Sequence, residues 1–158
     1  MKKLSYLLSA IVLLAILFTI GCKPDPTPGP SAEEAQKALL VKTWTASSVT
    51  LNNEDVTADF SGFTLTIQEN LNYTSSASSL TRSPQPWPTS GGFAFGVNGD
   101  GTTNVNQLLR EPGGTNELPM TVQVDETTMT LGFTFTDGTH LRGRTEAISG
   151  DWVFSFTN

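Results

Sequence analysis

From residue 43 onward, apolar and polar positions alternate with a period of two. The clearest run is Met129 to Thr136, MTLGFTFT, where Met129, Leu131, Phe133 and Phe135 alternate with Thr130, Gly132, Thr134 and Thr136. Successive strand side chains point to opposite faces, so this run predicts a strand with one apolar and one polar face. The same period runs through Phe63, Leu65 and Ile67, through Phe93, Phe95 and Val97, through Met120, Val122 and Val124, and through Trp152, Phe154 and Phe156. Turn residues separate the runs: LNNED near Asn52, ENLN at Glu69 to Asn72, NGDG at Asn98 to Gly101, EPGG at Glu111 to Gly114 and TDGT at Thr136 to Thr139. Short strands joined by tight turns pair with their antiparallel neighbours. The expected fold is all-β, a meander of about eight strands closed into a barrel, with a two-sheet β-sandwich as the alternative.

Two other patterns precede the strands. In SAEEAQKALLVKTW, Ser31 and Glu34 have the spacing of a capping box, which predicts a short helix ending about Val41 or Lys42, with Ala35, Ala38 and Leu39 on one face. Before it, Lys2 and Lys3 lead an apolar stretch from Leu4 to Ile20, the layout of a secretory signal. The stretch is near the lower length limit for spanning a bilayer, so its C-terminal flank decides between a signal and an anchor helix.

That flank is TIGC, Thr19 to Cys22, followed by KPDPTPGP. Thr19 to Cys22 resembles a bacterial lipobox, with Gly21 before the modified cysteine and Thr19 where leucine is commonest. The resemblance implies that Cys22, the chain's single cysteine, becomes the acylated first residue of the mature protein. Three acyl chains would hold it on a membrane far more firmly than one, since each buried methylene contributes about 0.8 kcal/mol. The alternating prolines favour an extended, semi-rigid spacer rising about 3.1 Å per residue. Three segments are therefore expected: a signal peptide over 1–21, the acylated cysteine and tether over 22–30, and one domain over 31–158. Lys23 stands where aspartate marks inner-membrane retention in many Gram-negative lipoproteins, so the expected location is the outer membrane, on its periplasmic face or at the cell surface.

Charge narrows the partners. All fifteen acidic residues lie beyond position 21 and two of the nine basic ones before it, so the chain from Cys22 onward carries a formal −8. Nucleic acid is not an expected partner. A single cysteine leaves stability to packing.

The spaced aromatics and glycines also carry a family likeness. Trp44 in the first strand, the segment Trp87-Pro88-Thr89-Ser90-Gly91, and the closing Gly150, Trp152 and Phe154 resemble the small lipocalin-like lipoprotein domains of Gram-negative envelopes. Lys42 stands where those domains have glycine. The resemblance implies a barrel behind a leading helix; such domains are largely uncharacterised, so it implies little about function.

Candidate chemistry is sparse. The one histidine, His140, has no second imidazole or thiol to complete a zinc site, and no Gly-x-Ser-x-Gly elbow occurs. NGDG lacks the closing glutamate of a calcium loop and is expected to be a hairpin turn. No metal, cofactor or catalytic residue is predicted, and the protein is expected not to be an enzyme. The connection Ser79 to Gly92 is long for a compact domain and carries Trp87, which either caps the barrel's open end or stands at a binding mouth. Arg142 and Arg144 leave the same sheet face, either toward solvent or, with the register reversed, into the barrel, where they would need an anion. Together with Tyr73 and Trp87 they form the candidate ligand site. Trp44 and Trp152 join those aromatics either in a sugar-stacking or lipophilic pocket or in the core. The expected function is non-enzymatic binding of a small apolar, amphiphilic or glycan ligand in or at the mouth of the barrel; the alternative is a solid barrel serving as a structural or protein-interaction subunit of an envelope complex.

Overall fold

The structure is a computed structural model that describes residues 29–80, 86–136 and 148–158. The signal segment, Cys22, most of the tether, His140, Arg142 and Arg144 lie outside the described residues. The chain opens with helix α1 (Ala32–Leu40). Nine strands follow: β1 (Thr43–Leu51), β2 (Glu54–Asp55), β3 (Thr64–Ile67), β4 (Asn72–Ser75), β5 (Ser90–Val97), β6 (Thr103–Arg110), β7 (Leu118–Val124), β8 (Thr128–Phe135) and β9 (Gly150–Thr157). Each barrel strand pairs antiparallel with the next, and β1 also pairs with β9, from Thr45↔Thr157 to Leu51↔Trp152. That last ladder closes the sheet, leaving β2 as a two-residue appendage on β1. The fold is a closed eight-stranded antiparallel barrel with a short N-terminal helix, and the sandwich alternative is excluded.

Alternation sets the interior. Met129, Leu131 and Phe133 on β8 and Trp152, Phe154 and Phe156 on β9 are buried, as their period requires. Two strands break phase. On β1, Trp44 and Val49 are both buried although five positions apart, because a bulge between Ala46 and Ser48 resets the alternation. On β5, a register shift between Phe95 and Gly96 turns Val97 outward to 66% exposure, which corrects the expectation that it shares a face with Phe93 and Phe95.

One end of the barrel is covered by α1. The capping box forms as the spacing predicts: Glu34 N–H donates to Ser31 Oγ and Ser31 N–H to Glu34 Oε2. The buried helix residue is Leu40, with Ala35 and Ala38 exposed, so the expected Ala35–Ala38–Leu39 face is not the docking face. Leu40 is placed by its own backbone, whose carbonyl accepts the Trp44 indole N–H at 3.0 Å. Lys42 ties the same end together. Its ammonium donates to Glu126 O at 2.8 Å and lies 5.1 Å from the centre of the Trp44 ring.

The barrel is solid. Phe154 packs edge-on to Phe60 and Trp87 and stacks with Phe133, Trp152 and Phe156 at centroid distances of 5.0 to 6.0 Å. Trp44, Trp152 and Tyr73, read from the sequence as pocket or core, are all core. These rings occupy the space in which a ligand inside the barrel would have to sit.

Candidate functional site at the barrel mouth

The end opposite α1 is where β6 and β8 finish and where β5, β7 and β9 begin. Trp87 enters this end from the β4–β5 connection. The segment carrying it is held at its base, where Ser75 N–H donates to Thr89 O and Ser75 Oγ donates to Pro88 O at 2.7 Å. Trp87 is 3% exposed and its ring lies 5.7 to 5.9 Å from Phe63, Tyr73, Phe133 and Phe154. Trp87 caps the core, as one of its two expected roles required, and its other side lines a cavity.

That cavity has a volume of about 970 Å³. Its described lining includes Trp87, Arg110, Glu111, Glu117, Leu118 and Phe135, with Ser90 and Thr134 among the hydroxyl groups. The lining combines carboxylates and hydroxyls with the rings of buried Trp87 and half-buried Phe135.

Arg110 is the feature that sequence reading missed. It is the last residue of β6 and shares the inward face of Leu108, and it is 5% exposed. Its guanidinium carbon lies 5.4 Å from the Trp87 ring centre, 5.9 Å from Phe133 and 6.0 Å from Phe135, a cation held against aromatic faces. Nη1 donates to Pro86 O at 2.8 Å. Nε has no hydrogen-bond partner among the described residues, and neither does the Trp87 indole N–H. Burial lowers the pKa of the guanidinium, with Tyr73 and Glu111 acting in the opposite direction; an arginine nevertheless stays charged. The signal in the sequence was the pairing of Leu108 and Arg110 two positions apart on one strand face, obscured because polar Asn104 and Asn106 interrupt the apolar alternation of β6.

Tyr73 supports the mouth without lining it. Its hydroxyl lies 3.3 Å from Glu111 Oε1, and burial, followed by the nearby Glu111 charge, raises its pKa well above that of a free phenol, with Arg110 pulling the other way. Its ring stacks on Phe93 at 4.6 Å. Gly91, opposite Tyr73 across the β4–β5 ladder, makes this arrangement possible: a Cβ there would run into both Glu111 Oε1 and the Tyr73 hydroxyl. Across the mouth, Glu117 Oε2 accepts Gly113 N–H at 2.7 Å and braces the β6–β7 loop, where Glu111 and Gly113 adopt φ of 54° and 73°. On the far side Thr134 Oγ1 donates to Asp151 Oδ1 at 2.6 Å.

Other predicted features fall elsewhere. NGDG forms the β5–β6 hairpin turn, with Asp100 accepting from the backbone and hydroxyl of Thr102. Among the described residues no group of three or more His, Cys, Asp and Glu side chains is placed to hold a metal ion. The mouth brings together a buried guanidinium, two carboxylates and aromatic rings. Comparison of the chain with protein-family models, curated proteins and solved structures finds no match, so the reading of this site rests on its own residues.

Proposed function

We propose that this protein is a non-enzymatic, lipid-anchored lipoprotein of the outer membrane that holds a small ligand at the mouth of its barrel. The observation that carries the binding half is Arg110: a charged side chain 5% exposed, at a cavity of about 970 Å³, with one N–H donor unpartnered among the described residues. A buried guanidinium is costly unless its charge is compensated, and a ligand acceptor against the part of Arg110 that lines the cavity would contribute to that. The cavity volume falls within the roughly 300–1,000 Å³ range of small-molecule sites. The anchoring half rests on the lipobox-like Thr19 to Cys22 and the proline tether behind it.

Native mass spectrometry of the full chain, extracted from its own envelope, tests the first half. A removable adduct that is lost in Phe135→Ala is expected; a bare mass, together with no thermal shift from sugars, lipids or fatty acids, overturns ligand carriage. For the second half, Cys22→Ala is expected to move the protein from the membrane to the soluble fraction, and retention on the membrane overturns the lipoprotein assignment.

The solid core favours a second reading, a structural subunit whose loops meet a protein partner. The exposed large apolar residues of the described chain, Val97 and Val153, lie on β5 and β9, which are not neighbours in the sheet. Scattered apolar residues do not make a docking patch, so ligand carriage is the reading put first.

A further inference from the structure

Resting on the ligand-carrying reading, the electrostatics of the mouth narrow the ligand's chemistry. We propose that the cavity takes an uncharged polyhydroxylated ligand, a sugar or short glycan. Glu111 and Glu117 line the cavity together with Arg110. An anion drawn to the guanidinium would share the cavity with two carboxylates, and a cation drawn to the carboxylates would share it with a buried guanidinium. Each therefore meets like charge within the same cavity. A hydroxyl escapes this conflict because it donates and accepts at once. Facing Arg110 it accepts; facing Glu111 or Glu117 it donates.

The partners already present leave room for this. Glu111 offers Oε1 to Tyr73, and Glu117 offers Oε2 to Gly113, while an ionised carboxylate has about four lone-pair sites. Ser90 and Thr115 add hydroxyls to the lining. Phe135 and Leu118, both half-buried, give the C–H face of a sugar ring an apolar surface to lie on. A fatty acid would leave most of these polar groups desolvated without partners, which is costly.

The test is calorimetric titration of the full chain in phosphatidylcholine nanodiscs, which avoids glycosidic detergents. The probes are neutral hexoses, N-acetylhexosamines and their disaccharides, then glucuronate, glucosamine, alanine and oleate. At least one neutral sugar is expected to bind with an affinity insensitive to added salt, and its uronate and amine counterparts to bind roughly tenfold more weakly or worse. Arg110→Gln and Phe135→Ala should each weaken the neutral sugar by a similar factor. Phe135→Ala, at the half-buried rim, keeps the test valid if Arg110→Gln misfolds. Preference for glucuronate, alanine or oleate would overturn the sugar assignment and leave ligand carriage standing. Failure of every probe to bind would overturn both.

Discussion

At the residue scale the mouth is a small set of mutual dependencies. Tyr73 can reach Glu111 only because position 91 is glycine, and Glu111 belongs to the turn that follows Arg110. The Tyr73 hydroxyl gives this chain a pH signature. Its folded pKa is raised above the ordinary 10.0, chiefly by burial, so its stabilising share is fully present below about pH 10. It is lost as the pH climbs, because the unfolded chain ionises there more readily than the buried phenol. Tyr73→Phe is therefore expected to cost about 0.5–1.5 kcal/mol at neutral pH, through the lost hydrogen bond. The variant should also lose less stability than the parent between neutral pH and about pH 11. Urea midpoints at the two pH values measure this, and an equal alkaline loss in both proteins would show that the phenol is not the group responsible. Arg110 shows why the site was only partly legible. Trp87 announced itself as an aromatic among prolines, whereas an arginine ending a mixed strand reads as a solvent residue until the sheet register places it beside Leu108. Gly91 was visible as a spaced glycine, but the side chains it makes room for come from β4 and from the turn after β6, a relation that only the closed barrel supplies.

At the element scale, strands and turns were the readable part, because period-two alternation and turn chemistry are local. What sequence reading lost was phase. The bulge in β1 skips one residue, Ser47, against β9, and the shift between Phe95 and Gly96 skips Val105, Asn106 and Gln107 of β6; each is set by the neighbouring ladder. The helix shows the same limit: its cap was legible from Ser31 and Glu34, but its docking residue is set by Trp44 reaching back to Leu40. The β7–β8 turn offers a test at this scale. Asp125 accepts from the backbone N–H groups of Thr127 and Thr128 and from both hydroxyls. These bonds hold its carboxyl far below the usual carboxylate range, led by the Thr127 backbone bond. A depressed folded pKa means stability that is present above the unfolded value of 3.8 and lost as the pH falls through the folded one. Asp125→Ala is expected to lower the denaturation midpoint at neutral pH, with the gap between variant and parent narrowing as the pH drops below that value. A gap independent of pH would mean that the turn is held by its backbone alone.

At the scale of the whole molecule, one plug closes the core on one side and lines the cavity on the other. Trp87 faces Phe63, Phe133 and Phe154 below and the cavity above. Barrel stability and ligand affinity should therefore be separable by substitution. Phe154 is fully buried and stacks or packs edge-on against rings from β8, β9, the Thr57–Phe60 turn and the Trp87 segment. Phe154→Ala is expected to cost about 3–5 kcal/mol through lost burial and the void left behind. That is a large share of the roughly 5–15 kcal/mol that holds an ordinary domain together. Phe135→Ala, at the half-buried rim, should cost far less in stability yet abolish most of the mouth affinity. A urea melt with tryptophan emission, paired with sugar titration of whichever variant stays folded, measures both quantities. If Phe135→Ala unfolds the barrel as readily as Phe154→Ala, the rim is part of the core. The mouth would then be a consequence of packing, and the solid-scaffold reading would gain. If the two effects separate, the filled interior is the rigid base on which an open site is built, and the absence of room inside the barrel ceases to count against a ligand.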